Sequence, residues 1–367
     1  MIKRLFGLFT CFVLILTLSA CKYEPFEITL RGDYNRPELV GTTLNVYNWG
    51  EYISDGGEDS MNVIKEFELL TGIKVNYSTY DSNESMYSLI KYGGVSYDII
   101  IPSDYMIERM IKEGLLSKID TSKLSNYDLI DSQYKDLYFD PNNEYSVPYS
   151  VGMVGLIYNT TIVEEEPDSW SLMWDEKYKG DILTFNNPRD TFAIAQFLLG
   201  YDINTTDKSE WDNAAELLKN QKNVLQAYVM DEVYNKMESG SAAIAPYYAG
   251  DYLSMLDNNE DLAFVYPKEG VNIFVDSACI PHNAENYEAA MLFINFLMEP
   301  DIALANAEYI YYASPNTSVT TNPDYSLLGD EIIYPSEENM PKTQYFHDMS
   351  PEIRAYFDKL WQDVKLH

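Results

Sequence analysis

The chain has 367 residues, of which 46% are hydrophobic, and carries a formal net charge of −33 at pH 7. The length suggests about two domains, and the apolar content suffices for globular cores. The acidic balance argues against nucleic acid as a partner, because phosphates are bound by Lys and Arg, and a field of this sign concentrates cations near the protein.

The N-terminus predicts export and lipidation. Two basic residues precede an apolar stretch, Leu5–Leu16, which is too short to be a comfortable membrane span. The following "LSAC", Leu18–Cys21, resembles the bacterial lipobox, in which the cysteine takes the lipid. We therefore predict a lipoprotein signal peptide at 1–20 and an extracytoplasmic protein anchored to the membrane through acyl chains on Cys21. An ordinary secretory signal with a chance cysteine is the alternative.

The sequence also predicts the roles of the segment after the signal peptide and of the other cysteines. Residues 21–42 mix charge, Pro and Gly without a clear period, which predicts a tether between membrane and protein. Cys11 leaves with the signal, so Cys279 is alone in the mature chain and no intrachain disulfide is expected. We expect Cys279 to be a small buried hydrophobe, because no histidine lies near it in sequence.

Strands and helices then alternate along the chain. Strands are predicted at Thr43–Tyr47, Ile73–Tyr80 and Tyr97–Ile101, and helices at Met61–Leu70, Glu84–Tyr92 and Tyr105–Lys112. This order predicts a parallel sheet with helices on its faces.

Two later segments are extended runs long enough to cross between lobes, namely Tyr145–Asn159 and Ile273–Ile280. Further strands are predicted at Asp181–Thr184, Ala242–Ala245 and Leu262–Tyr266, and further helices at Asp168–Trp174, Thr191–Leu199, Asp212–Lys219, Tyr287–Leu297 and Glu352–Val364. The pattern predicts an α/β protein throughout.

Aromatic and acidic side chains recur where the predicted strands end, which is where open α/β sheets bind ligands. These positions are Trp49, Glu51, Tyr52, Ser103, Tyr105, Asn187, Asp190, Tyr247, Tyr248, Asp251, Phe274 and Asp276. No lysine recurs among them, and the single arginine is Arg189.

This combination suits an ammonium group on an alkyl chain. Ring faces contact methylenes and attract the cation, and a carboxylate accepts charge-assisted hydrogen bonds. Asp276 is the strongest single candidate, because a carboxylate inside the apolar run "IFVDSACIP" must be paired or must face a cleft. Taken singly, Trp49 also fits a core position, and Glu51 and Asp190 also fit a solvated surface.

Several segments resemble the bacterial spermidine/putrescine-binding proteins, the extracytoplasmic receptors of polyamine ABC transporters. The resemblance covers nearly all of Leu44–Leu360 and includes "NWGEYI" (Asn48–Ile53), "YDIIIPSDYM" (Tyr97–Met106), "YPKEG" (Tyr266–Gly270) and "INFLMEPDIA" (Ile294–Ala303). It implies a type II periplasmic-binding-protein fold, in which two α/β lobes joined by crossing strands close on a ligand in the cleft between them. The expected lobes are 43–149 with 275–322, and 150–274 with 323–367.

The same resemblance implies the function and the ligand contacts. The protein would bind putrescine or spermidine and deliver it to the membrane permease of an ABC importer, as a monomer with no enzymatic activity, cofactor or metal. The contacts that carry over from the family are Trp49, Glu51, Tyr52, Ser103, Tyr105, Asp190, Phe274, Asp276 and Tyr312. Gln344 also matches a glutamine of the family.

Four positions bear on the affinity for the ligand or on its length. Phe274 and Tyr248 stand where members of the family usually carry tryptophan. The sequence "YAGD", which ends at Asp251, resembles the "WAGD" of putrescine-specific members and makes Asp251 an amine ligand. Asn187 stands where spermidine-preferring members carry an aspartate. We therefore expect putrescine to bind at least as tightly as spermidine.

Two other functions remain open at this point. Some receptors of this fold bind ferric iron through adjacent tyrosines, and such pairs occur at Tyr247–Tyr248 and Tyr311–Tyr312. A pair of carboxylates across a cleft could also serve as the acid and base of a hydrolase. The acidic residues are spread over separate segments and no nucleophile–base pair is visible, which favours a receptor.

Overall fold

The computed structural model describes residues 23–57 and 60–367, so the predicted signal peptide and Cys21 lie outside the described residues. The strands are β1 (Thr43–Trp49), β2 (Lys74–Tyr80), β3 (Ile99–Ile100), β4 (Ser146–Asn159), β5 (Ile182–Phe185), β6 (Leu225–Val229), β7 (Ile244–Tyr248), β8 (Leu262–Val265), β9 (Val271–Cys279) and β10 (Thr343–Gln344). Every predicted strand is present, with ends shifted by a few residues.

The α-helices are α1 (Val63–Thr71), α2 (Asn83–Tyr92), α3 (Asp104–Lys112), α4 (Pro188–Leu199), α5 (Lys208–Gln221), α6 (Glu232–Glu238), α7 (Ala249–Leu256), α8 (Tyr287–Leu297), α9 (Pro300–Ile310), α10 (Thr317–Thr320) and α11 (Pro351–Leu366). Short 3-10 turns occur between them, including Trp170–Trp174, where an α-helix was predicted to start. Across residues 23–57 and 60–367, no helix has both the length and the apolarity that a membrane crossing requires.

The strands form two parallel halves joined by an antiparallel pair. The order is β2-β1-β3-β9-β4-β7-β5-β6, with β8 beside β4 and β10 beside β9. β1 is parallel to β2 and β3, and β5 is parallel to β6 and β7, whereas β4 and β9 run antiparallel to each other. The predicted α/β architecture is therefore confirmed, and β4 and β9 are the two crossing strands.

Both crossing strands are almost completely buried. All of β9 is buried, and in β4 Tyr149 alone is partly exposed. Such strands read as nearly continuous apolar runs, which explains why the sequence revealed them. Cys279, at the end of β9, is a fully buried free thiol, as expected.

Helices begin immediately after three strands whose carboxyl ends face the same cleft: α3 follows β3, α4 follows β5, and α7 follows β7. The start of α4 shows why the turn is so short. The Asn187 side chain accepts a hydrogen bond from the Arg189 backbone N–H, and Pro188 occupies the first helical position, where no N–H is needed. Side chains in these first turns therefore point towards the cleft.

The segment predicted as a tether is fastened to the protein along residues 23–36, which we call the strap. Near its start the Tyr23 hydroxyl donates to Glu66 Oε1 at 2.7 Å. Further along, the fully buried Glu299 accepts two strap backbone N–H bonds at 2.8 and 2.7 Å and the Tyr34 hydroxyl at 2.8 Å. The strap is thus part of the packed structure that surrounds β1 and α8.

The strap contact gives the first prediction. Replacing Glu299 by Ala leaves three donors without their acceptor in a buried site, so the free energy of unfolding should fall by about 3 kcal/mol in urea titrations. Asp301→Ala is the matched control, because Asp301 accepts one strap N–H at an exposed position. A loss from Glu299→Ala no larger than that from Asp301→Ala would contradict a strap that is integral to the fold.

Candidate functional site

A cleft between the two halves of the sheet encloses about 1390 Å³, part of it open solvent. Its walls contain the predicted contacts Trp49, Glu51, Tyr52, Ser103, Tyr105, Asn187, Asp190, Tyr248, Asp251, Phe274, Asp276 and Tyr312. Gln344 is not among the lining residues: it pairs with the lining residue Asn272 in the short strand β10, and its Oε1 accepts the backbone N–H of Ile203 at 3.2 Å.

Asp276 lies at the centre of β9 and is only 3% exposed. Its Oδ2 accepts the Tyr52 hydroxyl at 2.8 Å, while its Oδ1 has no partner among the described residues. Burial raises the pKa of Asp276 to about 6, although the hydroxyls of Ser103 and Tyr52 act in the opposite direction. Asp276 is therefore a desolvated carboxylate whose second oxygen is buried without a hydrogen bond among the described residues.

Asp190 lies in the first turn of α4 and is also buried. Its Oδ2 accepts the Tyr248 hydroxyl at 2.8 Å and the Asn187 amide at 2.7 Å. Burial raises the pKa of Asp190 to about 7, against the opposing influence of Tyr248 and Arg189. Asn187 is engaged on both sides, because it caps the helix with its oxygen and holds Asp190 with its nitrogen.

Asp251 lies in the first turn of α7 and has one hydroxyl on each oxygen. Tyr234 donates to Oδ1 at 2.7 Å and Tyr312 donates to Oδ2 at 2.9 Å. Burial raises the pKa of Asp251 to about 6. Because Tyr312 follows α9 whereas Asp251 lies in the first turn of α7, this hydrogen bond joins two segments that are distant in sequence.

Gly250 makes that contact possible. A Cβ at residue 250 would lie 2.2 Å from the Tyr312 ring, so any side chain would push the ring away from α7. The glycine of the "YAGD" motif is therefore required by the close approach of Tyr312 and not by its own backbone angle.

Aromatic rings form the apolar surface of the cleft. Ring centroids lie 5.5 Å apart for Tyr248 and Phe274, 6.2 Å for Phe274 and Tyr312, and 5.4 Å for Tyr312 and Tyr52. Trp49 is anchored by its Nε1, which donates to the Ile101 carbonyl at 2.9 Å. The rings alternate with the carboxylates, so an alkyl chain and its charged ends meet suitable surfaces in turn.

The remaining predicted contacts are the carboxylate Glu51 and the buried residues Ser103 and Tyr105. Glu51 is exposed, and its Oε2 accepts the Tyr309 hydroxyl at 3.3 Å. The Ser103 hydroxyl accepts the Asn83 amide at 3.1 Å, and the Tyr105 hydroxyl donates to Glu84 at 3.0 Å.

Sequence reasoning left several lining residues out of the predicted site, including Asp104, Asp231, Tyr234, Asn272 and Phe346. Asp104 directly follows β3, so the end-of-strand rule contained the signal that would have found it. Asp231 and Tyr234 follow β6, a strand that the pattern missed. No sequence signal marks Phe346, which lies in an irregular segment.

The adjacent tyrosines act as hydrogen-bond donors in this cleft. Tyr248 and Tyr312 both donate to carboxylates, and burial holds the pKa of each phenol well above its usual value. Within residues 23–57 and 60–367, no group of three or more His, Cys, Asp or Glu side chains is arranged to hold a metal ion. The protonated phenols disfavour the phenolate ligands that ferric iron would need.

Two α/β halves around a ligand-sized cleft define the periplasmic-binding-protein class. Residues 62–330 match the family described as bacterial extracellular solute-binding protein, and this chain belongs to that family. Over 325 residues it is 36% identical to the spermidine/putrescine-binding periplasmic protein of Salmonella typhimurium, covering 88% of this chain and 91% of that protein.

Solved structures agree with this assignment. An ABC-transporter structure from Listeria monocytogenes is 36% identical with a TM-score of 0.83, covering 88% of this chain and 99% of that one. The spermidine/putrescine ABC transporter substrate-binding protein of Streptococcus pneumoniae is 35% identical with a TM-score of 0.75, covering 89% and 99%. The resemblance seen in the sequence motifs is thereby confirmed.

The buried carboxyl groups predict an unusual pH dependence of stability. Between about pH 4, where unfolded aspartates titrate, and the folded values of about 6 to 7, the folded protein holds more protons than the unfolded chain. The free energy of unfolding should therefore fall as pH rises through this window. The empty protein should melt at a higher temperature at pH 5 than at pH 7.5.

Asp276→Asn tests the origin of this trend, because the amide keeps the shape of the side chain and cannot titrate. The difference in melting temperature between the two pH values should shrink in the variant. An identical difference in both proteins would show that Asp276 is not a source of the pH dependence.

Proposed function

We propose that this protein binds the polyamines putrescine or spermidine outside the cytoplasmic membrane and delivers them to the permease of an ABC importer. The observation that carries the proposal is the set of three desolvated carboxylates, Asp190, Asp251 and Asp276, interleaved with aromatic rings in one cleft. The names of the relatives from Salmonella typhimurium and Streptococcus pneumoniae support the same ligand class.

The electrostatics of the empty cleft favour a cationic ligand. Burial deprives the carboxylates of water, which raises their pKa values, and an ammonium group supplies the charge that restores the ionised form. Tyrosine hydroxyls hold the carboxylates in place without neutralising them. The ammonium groups of the ligand thus supply the positive charge that the buried carboxylates lack.

The lobe bounds 43–149 with 275–322 and 150–274 with 323–367 are part of the proposal. They are supported by β4 and β9, which connect the two halves of the sheet. Closure on a polyamine would bury both walls against it, and the closed form would be the one that the permease recognises.

The protein is proposed to act as a receptor and not as an enzyme. Each of the three central carboxylates accepts a hydrogen bond from a tyrosine hydroxyl, which fixes its orientation. Carboxylates held in this way are suited to binding the cationic groups of a ligand. No cofactor or metal is part of the proposed function.

Lipid on Cys21 would hold the protein at the outer face of the cytoplasmic membrane. The strap begins at Tyr23, so the acyl chains would attach only two residues from a side chain that is hydrogen-bonded to Glu66. The anchor would therefore leave the half of the protein that contains β1 close to the bilayer.

Calorimetry with putrescine, cadaverine, spermidine and spermine tests the ligand class, and the absence of heat with all four would overturn it.

Asp276→Ala should weaken polyamine binding by about 30-fold or more, because losing one partner of a desolvated charge pair costs about 2–5 kcal/mol. The exposed Asp324, which does not line the cleft, provides the control Asp324→Ala. Unchanged affinity in folded Asp276→Ala would remove this residue from the site.

The anchor is tested by Cys21→Ser. Without the thiol that accepts the lipid, the protein should leave the membrane fraction or retain its signal peptide. Cys279→Ser is the control, since that thiol is buried within the fold. A Cys21→Ser protein that is both processed and membrane-bound would rule out lipidation at this residue.

A further inference from the structure

The segment 345–348, between β10 and α11, is hydrogen-bonded to the half of the protein that contains β5 and α4. The Asn204 amide, between α4 and α5, donates to the Tyr345 carbonyl at 2.8 Å, and its Oδ1 accepts the His347 backbone N–H at 2.7 Å. Arg189 of α4 donates to the His347 carbonyl at 3.3 Å. Three hydrogen bonds to backbone groups therefore hold the segment against this half.

The same segment contacts α3, which follows β3 in the other half, through three charged side chains that we call the latch: Glu108, Lys112 and Asp348. Glu108 Oε2 accepts the Asp348 backbone N–H at 2.7 Å. Lys112 Nζ lies 2.7 Å from Glu108 Oε1 and 3.4 Å from Asp348 Oδ2, so it bridges the two carboxylates. The Arg354 guanidinium donates to Asp348 Oδ1 and thereby fixes this carboxylate to α11.

Opening the cleft must break contacts on one side of this segment, because the segment is bonded to both halves. On the α4 side, the arginine that binds the segment is only 5% exposed. On the α3 side, the side chain of Lys112 is 54% exposed, that of Glu108 17% and that of Asp348 12%. Water can take the place of the partners of partly exposed charges, so separating them costs little. The latch is therefore the contact that can break and form again when the halves move.

We propose that Glu108, Lys112 and Asp348 form an ionic latch that holds the two halves together from outside the cleft and slows the release of a bound ligand. The three residues are not among those that line the cleft, so the latch acts on the separation of the halves and not on ligand recognition. The kinetic part of this inference rests on the proposed polyamine-binding function.

Glu108→Ala tests the latch, because it removes the acceptor of the Asp348 backbone N–H and one partner of Lys112. In stopped-flow experiments with putrescine, the dissociation rate constant should rise about threefold to tenfold, which is the range expected for charged contacts that water reaches. The association rate constant should not fall, because the lining of the cleft is unchanged. An unchanged dissociation rate constant in folded Glu108→Ala would overturn the proposal.

Glu352→Ala is the matched control. Glu352 forms an exposed ion pair with Lys208 at 2.6 Å, but this pair joins α5 to α11 within one half of the protein. Its loss should leave the dissociation rate constant of putrescine unchanged. Equal acceleration by Glu352→Ala and Glu108→Ala would also refute the latch, because the effect would then not depend on contact between the halves.

Two further measurements decide the question if the first cannot be made. Lys112→Met removes the bridging charge from a half-exposed side chain, and it should accelerate dissociation even if Glu108→Ala does not fold. If the wild-type protein bound no polyamine, the proposed function would be wrong, and the latch would be tested without ligand. Spin labels on Ser88→Cys in α2 and Asn220→Cys in α5, both exposed positions, should lie further apart when Glu108→Ala is added. Equal label distances with and without Glu108→Ala would then rule out the latch.

Discussion

The cost of removing carboxylates from water governs the arrangement of this protein. Asp190 and Asp276 are almost fully buried, Asp251 is surrounded by tyrosines, and each pays for desolvation with a raised pKa. Neutral hydroxyls reduce that cost without removing the charge. The protein can therefore fold with these carboxylates in place. Because their desolvation is only partly compensated, binding of a cation remains favourable.

The topology makes this compromise possible. Two parallel half-sheets place helix starts on opposite walls, and the antiparallel pair β4–β9 connects them through the floor of the cleft. Asp276 belongs to that floor, whereas Asp190 and Asp251 belong to the first turns of α4 and α7, where backbone N–H groups favour negative charge. Each carboxylate is therefore supported by a rigid element, and the ligand is the component that joins them.

Much of this architecture was readable from the sequence because buried parallel strands are nearly uninterrupted apolar runs. The elements that escaped have weaker patterns. β6 is mostly half-buried, α7 has a glycine in its first turn, and α9 begins at a proline and is rich in alanine. Missing β6 also meant missing Asp231 and Tyr234. Gln344 rests on the family resemblance alone, and in the structure its Oε1 accepts the backbone N–H of Ile203. Arg189 was noticed, but whether its charge is paired depends on three-dimensional neighbours that no local pattern encodes.

The contact between Gly250 and Tyr312 couples two positions that are distant in sequence. A methyl group at residue 250 could be accommodated only if residue 312 became smaller, and a smaller residue there would remove the hydroxyl that satisfies Asp251. Asp251 would then keep Tyr234 as its one remaining hydroxyl donor. Residues 250 and 312 should therefore vary together among related sequences, because neither can change in size without affecting the other.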